Sequence, residues 1–219
     1  VVFDNIRVTS GEIVVEPTPS GPTAVVLANL DNADAAASDA AVAQALSDLY
    51  GFSVKMIDDD AVAAGDYTID NARDDEAKLI YIGSSVNSGS VVSQPWQDLG
   101  IPIVNVEQAT QDDFLSVDPI DARGNAGAQD SATIVAPGHP LAGGLSAGDQ
   151  VVTGSIETHW GTATASATVI AHQPDDPTHA VVYGIEAGAA LQDGSPSKAR
   201  FVHLGFLGDA GFASIEPAG

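Results

Sequence analysis

The sequence predicts an α/β fold: a mainly parallel sheet with an antiparallel extension and an N-terminal β-strand appendage. Three observations carry this. Between residues 24 and 107, continuous apolar runs alternate with helical or turn-rich crossovers, the pattern of a parallel sheet with helices on both faces. After residue 108, short β-branched segments follow one another across tight turns, which suits antiparallel pairing. Before residue 17, strand-like alternation stands apart behind a proline-rich stretch.

The first sixteen residues, VVFDNIRVTSGEIVVE, alternate as a hairpin or two edge strands would, with turn chemistry at Ser10-Gly11. The segment FDNIRVTS resembles the closing strand of lectin-like β-sandwich domains, so residues 1–16 are expected to be the end of a preceding sandwich or an assembly strand. Residues 17–23, PTPSGPT, form a linker, because Pro17, Pro19 and Pro22 donate no ladder hydrogen bonds and hold the chain extended. The main domain is expected over 24–219. AVVLANL is its first strand; Ser38 to Tyr50 is a helix with a stripe through Val42, Leu46 and Leu49, stopped by Gly51. FSVKMID, KLIYIG and IPIVNVE follow as strands, separated by an acidic connection from Asp58 to Ala77 and by a Gly- and Ser-rich turn leading to Trp96. Beyond Gln108 the expectation is a short helix to Leu115 and a Gly/Ala/Asp loop from Asp118 to Asp130. Strands then follow at ATIVA, QVVTGS, ATVIAHQ, HAVVYGI and ARFVHLGF. The DPT at 176–178 connects two of these as a hairpin.

A chain of 219 residues with 44% hydrophobic content can bury a substantial core without disulfides. Thirty acidic residues against seven basic ones give a formal charge of −23, so nucleic acid and anionic membranes are poor partners. Such a surface stays soluble in salt and attracts divalent cations, which fits a halophilic or calcium-rich setting and weak calcium binding. The absence of cysteine excludes a disulfide framework, a thiolate metal site and a cysteine nucleophile. No run reaches the length of a membrane span, and a start at Val1 without a signal-peptide pattern reads as an excised piece of a longer product.

The order LIYIGSSV, IPIVNVE, GHPLAGGLS, ARFVHLGFL resembles the class I glutamine amidotransferase-like superfamily and, within it, extracellular modules related to the ThuA-like group. The resemblance runs from about Ala24 to Gly208. It implies a flavodoxin-like three-layer sandwich. Overlaying the active members' nucleophile strand on Pro102 to Glu107 places Glu107 at the nucleophile position, with Gln108 and Ala109 in place of the elbow glycines. The late His-x-Glu pair is missing, as is the C-terminal helix after the last strand. Nucleophile and base are thus both lost, as in a pseudoenzyme.

Ser84, Ser85 and Asn87 follow a strand, at the edge where open α/β sheets take ligands. Gly83-Ser84-Ser85-Val86-Asn87 lacks the final glycine of a nucleophile elbow, and the plainer reading is a turn whose hydroxyls cap the next helix. Glu107 ends a central strand on the same edge, as a pocket carboxylate or, more plainly, an acceptor of backbone N–H from the segment that follows. The five histidines have no H-x-x-x-H spacing, so no metal site is expected. His139 reads as a loop anchor and His203 as a core histidine. His159-Trp160 in a Gly- and Thr-rich loop could stack on a sugar. The Asp pairs and Asp58-Asp59-Asp60 lack calcium-loop spacing and read as solvated surface.

The expectation is therefore a noncatalytic extracellular or cell-surface module, structural or carbohydrate-associated, joined to neighbouring modules or subunits by strand addition into a surface assembly or filament. Its expected ligand-lining residues are Ser84, Ser85, Asn87, Glu107, His159 and Trp160, with no cofactor. The alternative is a ThuA-like enzyme acting on a sugar derivative, with Glu107 as acid or base and Ser84 beside it.

Overall fold

The computed structural model describes residues 6–9, 12–15 and 21–206. The Ser10-Gly11 turn, Pro17, Pro19 and the chain beyond 206, including the expected absence of a C-terminal helix, lie outside them. β1 (Ile6–Thr9) and β2 (Glu12–Val15) pair antiparallel as a sheet of their own, Ile6 opposite Val15 and Thr9 opposite Glu12.

Among the described residues the main sheet has nine strands: β3 (Thr23–Ala28), β4 (Ser53–Asp58), β5 (Ala77–Ile82), β6 (Ile103–Asn105), β7 (Arg123–Ile134), β8 (Gly148–Gly161), β9 (Thr168–Gln173), β10 (Asp176–Ile185) and β11 (Phe201–Leu204). Their spatial order is β4-β3-β5-β6-β11-β10-β8-β7-β9. β4, β3, β5, β6 and β11 run parallel and are mostly apolar where they cross the core, as a sheet covered on both faces demands, with Asn105 of β6 and His203 of β11 as buried polar exceptions. From β11 onward every pairing is antiparallel. β9 pairs with both β10 and β7, so β10, β8, β7 and β9 close on one another around Ile134, Val152, Ile170, Val181 and Val182.

Side-chain alternation divides the parallel half into two cores. Val25, Leu27, Ile80 and Ile82 point to one face, covered by α2 (Asp59–Ala64), α3 (Ile69–Asp74), α4 (Ser88–Val91) and the fully buried Trp96. The indole N–H of Trp96 donates to Val91 O at 2.9 Å, meeting the polar requirement that burying it creates. Val26, Tyr81 and Val106 point the other way, against Val42 and Ala43 of α1 (Ala37–Tyr50). α1 ends where Gly51 takes a left-handed conformation at φ 71° and returns its N–H to the last turn.

The expected flavodoxin-like three-layer sandwich is overturned. Of the four α-helices among the described residues only α1, at 14 residues, exceeds six, and the larger body there is a mixed, strand-dominated sheet. The physical reason lies after β6. Gln108–Thr110 makes only a 3-10 turn, not a helix to Leu115, and residues 123–130, expected as loop, form the first part of β7. β8 likewise extends through His159-Trp160-Gly161, so that pair stands in a strand, not in a loop. The expected strands of the parallel half are present within two residues at each end, IPIVNVE being strand over Ile103–Asn105.

Candidate functional site

The chain leaves β3 toward β4 on one side and enters β5 on the other, so strand order reverses between β3 and β5. Ligands of open parallel sheets bind outside the carboxyl ends of the strands at such a reversal. The loop after β5, Gly83 to Asn87, faces the first turn of α1 there. Asp39, wholly buried in that turn, accepts N–H hydrogen bonds from Ser84 (3.2 Å) and Ser85 (3.2 Å) and the Ser85 hydroxyl proton at 2.6 Å. Ser85 Oγ in turn accepts the N–H of Asn29 at 2.9 Å, tying the end of β3 into the same group. A side chain at Gly83 would fall inside contact distance of the Asp39 carboxylate, so the loop passes this close only as glycine. Ser84 Oγ and Tyr81 OH are buried without a hydrogen-bond partner. Burial pushes the Tyr81 phenol well above its ordinary range, and the charge of Asp39 adds to it.

Asn87 opens α4: its side chain accepts the N–H of Gly89 at 3.0 Å, and its own N–H donates to Asp59 at 2.5 Å. Burial raises the Asp59 carboxyl above its usual value, and the charges of Asp58 and Asp60 push the same way against the hydrogen bond from Asn87. Among the described residues Asp58, Asp59 and Asp60 are the one cluster of potential ligand atoms that converge, within 4.8 Å of one another. Their oxygens already serve the backbone, since Asp58 takes the N–H groups of Asp60 (2.8 Å) and Leu30 (3.1 Å).

One strand further along, Glu107 caps the turn after β6, its Oε1 accepting the N–H of Ala109 at 2.8 Å. The buried Asn105 donates to Glu107 O at 2.8 Å, and its Oδ1 accepts from Thr110 Oγ1 at 2.9 Å. His203, on β11 beside Asn105, has Nδ1 3.4 Å from Asn105 Nδ2 and an Nε2 without a partner. Burial lowers its pKa to about 3, with the neighbouring His159 adding in the same direction. With Asn105 Nδ2 as donor, the neutral tautomer carries its proton on Nε2. His159 comes in from β8 and places Nδ1 3.0 Å from Val106 O, with Nε2 3.7 Å from Glu157.

Ser84, Ser85 and Asn87 thus share one loop, bonded to Asp39 of α1 and Asp59 of α2, while Glu107 and His159 flank Val106 next door. Trp160 goes elsewhere. Its ring stacks on His179 at 3.5 Å between centroids and lies against Gly124, so it packs within the antiparallel half. His139 caps the 3-10 turn at Pro140–Ala142 by accepting the N–H of Leu141, in keeping with a loop anchor. Sequence reasoning missed Asp39, Asn105 and the buried Gln111, whose Oε1 accepts from Tyr183 OH at 2.8 Å. A Ser-Asp pair opening α1 one short loop after a buried strand was the available signal for Asp39. Three concavities lie elsewhere: one at the amino ends of β6 and β11 near Phe114 and Arg200, one on the sheet face at His139, Thr168 and Glu186, and one beside Val92–Gln97.

No family model matches the chain, and no curated protein matches it. Among solved structures it is similar to a protein from Bacteroides uniformis ATCC 8492 described as ThuA-like, at a TM-score of 0.53 and 13% sequence identity, over 89% of this chain and 86% of that one. At that identity what the two share is a fold, and the fold is one found in a ThuA-like protein.

Proposed function

We propose that this chain is a noncatalytic structural or binding module of a larger secreted or surface protein. The observation that supports it is how the carboxylates at the ligand edge are used: Asp39 and Glu107 both accept backbone N–H groups of their own chain. A general acid or base must instead hold its proton-transferring oxygen toward substrate. Its partners would be neighbouring modules. Among the described residues β4 pairs only with β3, which would leave its outer edge for strand addition.

A second reading has one observation in its favour. Ser84 Oγ and His203 Nε2 are unpartnered polar atoms near the same edge, as a substrate site would leave them, which suits an enzyme of a sugar derivative with Glu107 as acid or base. One experiment separates the two: a panel of glycoside, ester and amide substrates beside a glycan-binding screen, in high salt with and without calcium, on the wild type and Glu107→Gln. The module reading expects no turnover that the substitution changes. Turnover that falls a hundredfold or more in Glu107→Gln sinks it, since general acid–base catalysis contributes about 10²–10⁴-fold.

A further inference from the structure

We propose that the Gly83-Ser84-Ser85 loop and the first turn of α1 form a cradle for a carboxylate, and that the chain fills it with its own Asp39. The reversal point of the sheet is thereby occupied from within. Successive backbone N–H groups beside the start of a helix make a concavity suited to an oxyanion. Here two such N–H groups and one hydroxyl converge on the two oxygens of Asp39, from residues 45 and 46 positions away in sequence. The fit extends to the loop backbone, because the carboxylate occupies the space that any side chain at Gly83 would take. Two further hydroxyls, Ser84 Oγ and Tyr81 OH, are more than nine-tenths buried and without partners in the same neighbourhood. A buried hydroxyl without a partner is costly, and its presence beside an anion marks donor capacity beyond what the carboxylate uses.

The inference concerns a different strand end from Glu107 and stands whichever way the turnover assays fall. If the cradle is a true carboxylate site, removing the internal occupant should leave a hole that a small carboxylate from solution can enter. Ligand binding to the folded state then raises its stability. In Asp39→Ala, formate or acetate should restore at least half of the lost melting temperature, measured against sodium chloride at equal ionic strength. The wild type should respond to formate no more than to chloride. A folded Asp39→Ala that treats formate and chloride alike overturns the proposal.

Should Asp39→Ala not fold, the wild type alone decides. Followed by NMR against pH, the amide protons of Ser84 and Ser85 should shift with the same midpoint as the Asp39 carboxyl carbon, because they donate to it. Amide shifts that ignore that titration overturn the proposal equally.

Discussion

His203 sits on β11 with no exposed surface, and what it lacks is as informative as what it touches. Burial holds its pKa near 3, whereas in the unfolded chain it titrates near the ordinary value of 6.5. The sign follows directly: above pH 6.5 the residue is neutral in both states, and as pH falls toward 3 the unfolded chain alone takes up the proton, so stability is lost. Between pH 6.5 and 4.5 the loss attributable to this residue is about 2–3 kcal/mol. Urea melts at pH 7 and 4.5 check it. His203→Gln, which cannot titrate, should show a smaller drop over that interval, and an unchanged drop would assign the acid sensitivity elsewhere. Asp59 and Asp113, both raised by burial, work in the opposite direction in the wild type and the variant alike. The sequence marked His203 as a core histidine and Glu107 as a strand-end carboxylate bonded to backbone N–H, because both readings need only the local strand pattern. Asp39 was harder to read for the complementary reason: the Ser38-Asp39 pair at the start of α1 signals a polar group near the strand end, but its partners lie 45 and 46 residues away and are not named by anything local.

At the scale of elements the strands of both halves were legible, apart from the first part of β7 and the end of β8. Val, Ile and Leu runs such as AVVLA and LIYI announce buried strands wherever they occur. RGNAGAQDS, the first part of β7, has the composition of a loop, and it is strand because β8 supplies its pairing partners over most of its length. Arg123 anchors the start of that strand. Its guanidinium grips Asp112 with two hydrogen bonds, at 2.5 Å and 3.1 Å, and reaches Gln108 at 3.3 Å. Burial pushes the Asp112 carboxyl up, but Arg123 outweighs it and holds the group below its usual range. Removing one member of a mostly buried pair strands the other, here beside Asp113 and Asp121. Arg123→Ala should therefore cost about 3 kcal/mol, and the double variant Arg123→Ala/Asp112→Ala less than the single. Arg123→Lys should recover only part, lacking the two-pronged geometry. A double variant whose loss equals the sum of the Arg123→Ala and Asp112→Ala losses, measured by urea denaturation, would show that the pair carries no coupling.

For the whole molecule the dominant quantity is charge. A net −23 on 219 residues means that almost every carboxylate repels its neighbours, and repulsion of this kind is strongest in the compact state. The exposed ion pairs, Lys55–Asp75, Arg73–Asp70, Lys198–Asp98 and Arg200–Glu186, act the other way, yet pairs at the surface contribute about 0–1 kcal/mol each. Salt weakens both, so the sign of the salt effect tells which is larger. With 30 acids to seven bases, repulsion prevails, and the urea midpoint should rise with sodium chloride. Most of the gain should come below about 1 M, where the screening length has fallen to about 3 Å. Calcium and magnesium should reach the same midpoint at lower concentration than sodium and should match each other, since the acidic clusters have charge without the spacing that selects one divalent ion. Among the described residues the antiparallel strands close on themselves and β4 pairs with β3 alone, and neither arrangement neutralises a carboxylate. A midpoint that stays flat or falls with salt would mean that the few ion pairs outweigh the field of the whole surface, and calcium acting where magnesium does not would mean that a specific site exists among the aspartates.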